Sequence, residues 1–322
     1  MKEFHKLIKD FKKGKVKKVK KPRIWKEKDV LDGKIVDAFV FILRTSGCRW
    51  AKQSGCTMCG YFKESYDAGR EEIKKQIAQA IREYNNETIV KIFTSGSFFD
   101  EKEIPRDLQS LILKKFEKAK KIIVESRPEF VNALEELKTK TRLEIAMGLE
   151  SANDKVLKYA INKGFTFQQW KKSAERVIEL GKELKVYILI KSPFLTEKEA
   201  IDDAIYTVEK VKDMANTISF NPVAIHGKTV VEFLWKHGLY RPPWLWSVIE
   251  ILKESREIYN GLIKCDVVAG GKERGAHNCG KCDKNLLDII KNFSLMQEVK
   301  ETYCYCKEEW RDMLEIEEFF VG

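Results

Sequence analysis

Arg44-Thr-Ser-Gly-Cys-Arg-Trp-Ala-Lys-Gln-Ser-Gly-Cys-Thr-Met-Cys-Gly-Tyr-Phe62 places three cysteines, Cys48, Cys56 and Cys59, on one glycine-punctuated loop. The loop directly follows the apolar run Ala38 to Leu43, which reads as a buried strand. Three thiolates on one loop can hold three irons of a [4Fe–4S] cluster and leave the fourth iron open to a small molecule. Zinc is the competing reading, because a Cys-x-x-Cys pair such as Cys56 and Cys59 is often half of a structural zinc site. Zinc normally takes a fourth ligand, however, and the nearest histidine is His5, in a lysine-rich segment. Ordinary buried thiols are a third reading. A disulfide fits less well, since no signal peptide precedes the loop and a reducing, cytoplasmic setting is expected.

Beyond the loop, strand and helix patterns alternate. Strands are expected at 88–93, 121–125, 142–149, 186–190 and 217–223, with helices at 71–84, 104–119, 129–137, 167–180 and 197–214. Counting the run before the cysteines, six βα units with short connections predict a parallel sheet with helices outside: an open, partial (β/α)6 barrel. Functional residues of such sheets gather at the C-terminal strand ends, where the cysteine loop leaves strand one.

The net charge of +11 is concentrated at the N-terminus. Residues 1–28 carry 13 Lys/Arg against 3 Asp/Glu, while the remainder of the chain has a net charge of only +1. Such a segment reads either as a phosphate-binding arm for nucleic acid or as a solvated lead-in. Its centre holds Lys12, Lys13, Lys15, Lys17, Lys18, Lys20 and Lys21. No run of 18 apolar residues exists and no membrane association is expected. The organisation predicted is a basic arm at 1–30, a barrel at 31–225 and a small cysteine-rich α+β domain at 226–322.

Several strand ends carry polar residues suited to a ligand. Strand two ends in Thr94-Ser95-Gly96-Ser97, strand three in Glu125-Ser126-Arg127-Pro128, and strand four in Gly148-Leu149-Glu150-Ser151. A plain turn, or an ion pair between Glu125 and Arg127, would explain them equally well.

The order of these pieces, with Gly148-Leu-Glu-Ser-Ala-Asn-Asp-Lys-Val-Leu157 and Ile161-Asn-Lys-Gly-Phe-Thr166, resembles the Elp3-type branch of the radical S-adenosylmethionine (SAM) superfamily over residues 38–225. The usual spacing there has three residues between the first two cysteines; here there are seven. Gly47-Cys-Arg-Trp50, Cys56-Thr-Met-Cys-Gly-Tyr61 and His277-Asn-Cys-Gly-Lys-Cys-Asp283 further resemble the radical SAM subunit of archaeosine synthases. The resemblance implies a [4Fe–4S] cluster on Cys48, Cys56 and Cys59, and SAM held near Ser95, Gly96, Ser97, Glu125, Arg127 and Glu150. It further implies tRNA as substrate, a partner subunit that attaches lysine to a 7-deazaguanine, and cleavage of the lysine C–N bond to leave a formamidine. Neither the catalytic residue nor the electron donor follows from it. An Elp3-like wobble-uridine modifier is a second reading, and a non-catalytic, metal-stabilised RNA-binding protein a third.

The last third holds Cys265, Cys279, Cys282, Cys304 and Cys306. Cys279-x2-Cys282 and Cys304-x-Cys306, brought together across a helix at 283–299, fit a four-thiolate Zn2+ site; a second iron–sulfur cluster and unliganded thiols are the alternatives. Cys265 and His277 are spare ligands, and His226 is a residue near the barrel mouth. Tyr240, Trp244 and Trp246 read as junction packing or as stacking platforms for an everted base.

Overall fold

The computed structural model describes residues 2–13 and 19–321, with side chains to residue 319. Lys15, Lys17 and Lys18 lie outside the described residues. One eight-stranded sheet organises the chain in sequential order: β1 (Arg23–Leu31), β2 (Lys34–Ile42), β3 (Ile89–Phe93), β4 (Lys121–Ser126), β5 (Arg142–Glu150), β6 (Glu183–Ile190), β7 (Thr217–Pro222) and β8 (Leu262–Cys265). β1 pairs antiparallel with β2, and every later pairing is parallel. The sheet is curled into a half-barrel. The six expected strands are β2 to β7; β1 and β8 extend it at its two edges.

Helices α1 (Lys2–Phe11), α2 (Arg49–Gln53), α3 (Arg70–Glu83), α4 (Arg106–Lys115), α5 (Phe167–Glu179), α6 (Glu197–Val211), α7 (Val230–Lys236), α8 (Leu245–Ile258), α9 (Asp283–Met296) and α10 (Cys306–Val321) complete the chain. Capping boxes start α5 and α6: Thr166 with Gln169, and Thr196 with Glu199, each satisfy two backbone N–H groups that a helix start leaves unpaired. The expected helix at 129–137 tightens into a 3-10 helix over Pro128–Glu136.

Two described parts of the basic arm are tied to the rest of the protein. Asp32 and Gly33 both have positive φ, which closes a two-residue hairpin and sets residues 23–31 as an edge strand. α1 packs its Ile8, 1% exposed, into the protein, and Lys12 Nζ donates to the Ser54 carbonyl at 3.1 Å. The predicted boundary at 225/226 also falls within one sheet, because β8 hydrogen-bonds to β7.

The two faces of the sheet differ in chemistry. Phe39, Phe41, Val90, Ile92, Ile122, Val124, Ile145, Val186, Ile188, Ile218 and Phe220 meet the helices in the main core. On the other face a small apolar cluster of Leu31, Ala38, Ile89, Ile123 and Ala146 forms among the described residues. Lys91, Lys121, Glu125, Glu144, Lys185, Tyr187, Ser219 and Lys264 occupy alternate strand positions in register with that cluster, so the concave face is polar. Parallel strands covered on both faces are normally apolar throughout; here the second face instead carries buried charged residues, most of them ion-paired.

Candidate functional site

The cysteine loop leaves the C-terminal end of β2 and is stitched to its neighbours. Cys48 precedes α2 at its N-cap. Thr57 donates through its backbone to the Ile161 carbonyl at 2.9 Å and through its hydroxyl to the Ala160 carbonyl at 2.6 Å. Asn162 Nδ2 donates to Ser54 Oγ and to the Gly55 carbonyl, both at 2.8 Å. Trp50 donates to the Asn162 carbonyl at 2.7 Å and lies against Gly164, where a Cβ would sit 2.8 Å from the ring. Gly96 is required for a similar reason: a Cβ there would approach the Cys48 Cα to 2.8 Å.

Burial pushes the Cys56 thiol above its ordinary range and Cys59 up to about 12. Lys163 and Arg127 act in the opposite sense on Cys56, and Lys12 on both thiols. Cationic side chains thus surround half-buried sulfurs, a setting suited to an anionic iron–sulfur group.

The predicted strand-end residues separate. Arg127 ion-pairs with Glu129 at 2.6 Å, donates to the Lys163 carbonyl at 3.2 Å and lies over the Phe165 ring. The Glu125–Arg127 ion pair is therefore absent. Glu125 instead accepts from the Tyr187 hydroxyl at 3.0 Å, and burial raises its carboxyl to about 7. Glu150 pairs with Lys163 at 2.6 Å beside a β-bulge and has a positive φ of 77°. Ser95 and Gly96 are half-buried at the end of β3. Ser97 is fully buried: its Oγ accepts from the Arg127 N–H at 2.9 Å and its own N–H donates to Glu103 at 2.7 Å.

Glu103 escaped sequence reading because no motif marks it. It also accepts from Thr45 Oγ1 at 2.6 Å, clamping the cysteine loop to the end of β3. Burial pushes its carboxyl up to about 7, against those hydrogen bonds. A carboxyl raised on folding retains a proton that the unfolded chain has released, so stability falls as pH rises between about 4.5 and 7. Glu103→Gln is expected to remove that pH dependence, about 3 kcal/mol across the window. Urea unfolding of the metal-free chain across this window checks it; an unchanged slope refutes the assignment.

A second cysteine cluster joins the starts of α9 and α10. The sulfurs of Cys279, Cys282, Cys304 and Cys306 all lie within 4.8 Å of one another, an arrangement that could hold a metal ion. The separations are 3.9 Å for Cys279–Cys282, 3.7 Å for Cys279–Cys304 and 3.6 Å for Cys282–Cys306. Cys282 occupies the N-cap position of α9 and Cys306 is the first residue of α10. Although burial opposes it, the backbone N–H groups of Lys281 and Cys282 hold the Cys279 thiol down at about 6. Trp246 Nε1 and Asn278 Nδ2 donate to Cys306 and Cys282, at 3.3 and 3.4 Å. Cys265 is buried beside Ser294, outside the group, and His277 Nδ1 bonds the Gly275 carbonyl. Tyr240 and Trp246 are buried, whereas Trp244 lies half-buried under Arg241. His226 packs its ring on Tyr61, with centroids 5.1 Å apart.

A half-barrel with a three-cysteine loop at its C-terminal rim defines a class, and comparison with known proteins agrees: residues 42–206 match the Radical SAM superfamily, and the chain belongs to it. It is 39% identical, over 92% of this chain and 91% of the relative, to a protein of Methanosarcina acetivorans named archaeosine synthase subunit beta. A protein of the same name from Thermococcus kodakarensis is 34% identical over 90% of this chain and 96% of its own length. The crystal structure of methylornithine synthase (PylB) shares the fold, with a TM-score of 0.50 at 13% identity, covering 69% of this chain and 63% of that chain. No described helix is long and apolar enough to cross a membrane.

Proposed function

We infer that this protein is the radical SAM subunit of an archaeosine synthase, cleaving the lysine C–N bond of a lysine-modified 7-deazaguanine in tRNA. The observation that carries the reading is its likeness, along nearly the whole chain, to two proteins named archaeosine synthase subunit beta. Cys48, Cys56 and Cys59 would hold a [4Fe–4S] cluster. Arg127, Lys163 and Lys12 would balance its charge, and Gly96 lets the loop close onto β3. When bound, the reduced cluster and SAM supply a hydrogen-abstracting radical. Ser95, Gly96, Arg127 and Glu150 border the place for SAM. The chain's own contribution is to fix the loop, orient the substrate against the polar concave face and exclude water. Zn2+ on Cys279, Cys282, Cys304 and Cys306 would fasten the C-terminal helices. A partner subunit would supply the lysine-bearing tRNA.

The test is direct. Reconstituted protein, SAM, a reductant and lysine-modified tRNA are expected to yield archaeosine and 5′-deoxyadenosine. SAM cleavage with the tRNA left unchanged would leave only superfamily membership standing.

Lys2, Lys6 and Lys9 of α1 are exposed and available to phosphate, whereas Lys12 is engaged with the cysteine loop. Substituting Lys2, Lys6 and Lys9 by Gln is expected to weaken tRNA binding. The log–log salt slope should flatten by about 0.7–0.9 for each phosphate no longer neutralised. An unchanged slope removes α1 from the tRNA interface.

A further inference from the structure

Four lysines stand on the concave face, and three of them are matched by carboxylates. Lys91 pairs with Glu27 at 2.6 Å and with Asp29. Lys121 pairs with Glu183 at 2.8 Å and Glu144 at 3.1 Å. Lys264 pairs with Asp29 across the open side, from β8 to β1. Lys185 differs: it is 4% exposed and makes neither a hydrogen bond nor an ion pair among the described residues. Its Nζ lies 5.2 Å from the centroid of the Tyr187 ring.

An ammonium ion so enclosed, with no acceptor, is costly. Burial first, and then the Lys91 charge, lower its proton affinity, while Asp266, Glu144 and Glu125 act in the opposite sense. The cost is offset if a ligand brings a carboxylate. Directly above, on the next inward position of β6, Tyr187 donates to Glu125, and both are only partly buried. A buried cation beside an anionic acceptor and a phenol is the complement of a zwitterionic amino acid: carboxylate to Lys185, ammonium to Glu125.

We propose that Lys185, Glu125 and Tyr187 form the subsite for the α-amino-carboxylate end of the lysine moiety, with Lys185 taking the carboxylate and Glu125 the ammonium group. The assignment rests on the lysine-cleaving reading above. It places the free end of the lysine chain deep in the half-barrel and its base-linked end towards the rim, where the cysteine loop lies. The subsite would also set specificity, since a base carrying 1,5-diaminopentane has the same reach but no carboxylate. A buried cation discriminates against such an analogue because the lysine would then be left unpaired.

The experiment compares wild-type, Lys185→Met and Lys185→Arg holoenzymes on tRNA carrying either lysine or 1,5-diaminopentane on the deazaguanine. Wild type is expected to prefer the lysine conjugate in kcat/KM by about 10- to 100-fold, the size of one charge-assisted hydrogen bond. Lys185→Met should lose that preference, and Lys185→Arg should keep part of it. Iron content and thermal unfolding should be equal in all three, which shows that fold and cluster are intact. A Lys185→Met enzyme that retains the wild-type preference overturns the subsite. If wild type turns over neither conjugate, the functional reading fails on its own. Binding of Nε-acetyl-lysine against N-acetyl-1,5-diaminopentane, measured by calorimetry, then decides the subsite. Selective binding of the amino acid, abolished in Lys185→Met, upholds it, and equal or absent binding overturns it.

Discussion

Cys56→Ala protein, reconstituted anaerobically, is expected to lose the brown colour of a bound cluster, its iron and all formation of 5′-deoxyadenosine. The effect should be complete, not partial. Three thiolates leave one iron for SAM; with two, neither the cluster nor its open position is held. The loop itself should persist, because Thr57, Asn162 and Trp50 bind it to the segment after β5 through contacts that do not involve Cys56. Circular dichroism and thermal unfolding of the metal-free chain should therefore match the parent. Cys265→Ala is the control: that thiol is buried beside Ser294 and stands apart from both cysteine groups. A Cys56→Ala enzyme that cleaves SAM at the parent rate would remove the loop from the chemistry.

The Cys279→Ser, Cys282→Ser double variant is expected to release one zinc ion and to unfold the region after residue 260. Around a zinc ion with Zn–S bonds of about 2.3 Å, tetrahedral geometry sets neighbouring sulfurs about 3.8 Å apart. The contacts of 3.6 to 3.9 Å match that spacing. A four-iron cube, with a metal at each corner, spreads its sulfurs further. The site joins the starts of α9 and α10, and Trp246 of α8 reaches it through Cys306. Structural zinc contributes on the order of 10 kcal/mol in small zinc-bound domains. Proteolysis should cut the variant within 260–322, β8 included, and spare β1 to β7. Intact protein that contains neither zinc nor iron beyond the cluster would exclude both metals from this site.

Sequence alone determined what is local or strictly periodic. The spacing Cys48-x7-Cys56-x2-Cys59 after an apolar run fixed the three-cysteine loop and its place at a strand end. Alternating βα patterns fixed six parallel strands, since period-2 and period-3.6 burial are written in consecutive residues. The paired cysteines at 279/282 and 304/306 were legible as one cluster because a single helix separates them. Tertiary structure decided what depends on partners remote in the chain. Residues 23–28 read as part of a basic arm by composition, yet an Asp32-Gly33 turn pairs residues 23–31 with β2. β8, four residues long, carries too little pattern to be recognised and exists because β7 offers it an edge. Arg127 turned to Glu129 and Ser97 to the Arg127 backbone, choices made by rotamer and neighbour and not by motif. Lys185 is the sharpest case. In sequence it is one of 60 basic residues; only the curling of the sheet buries its ammonium among paired lysines and leaves it with no carboxylate partner among the described residues. Charge is a property of the residue, but whether that charge is satisfied depends on every strand that surrounds it.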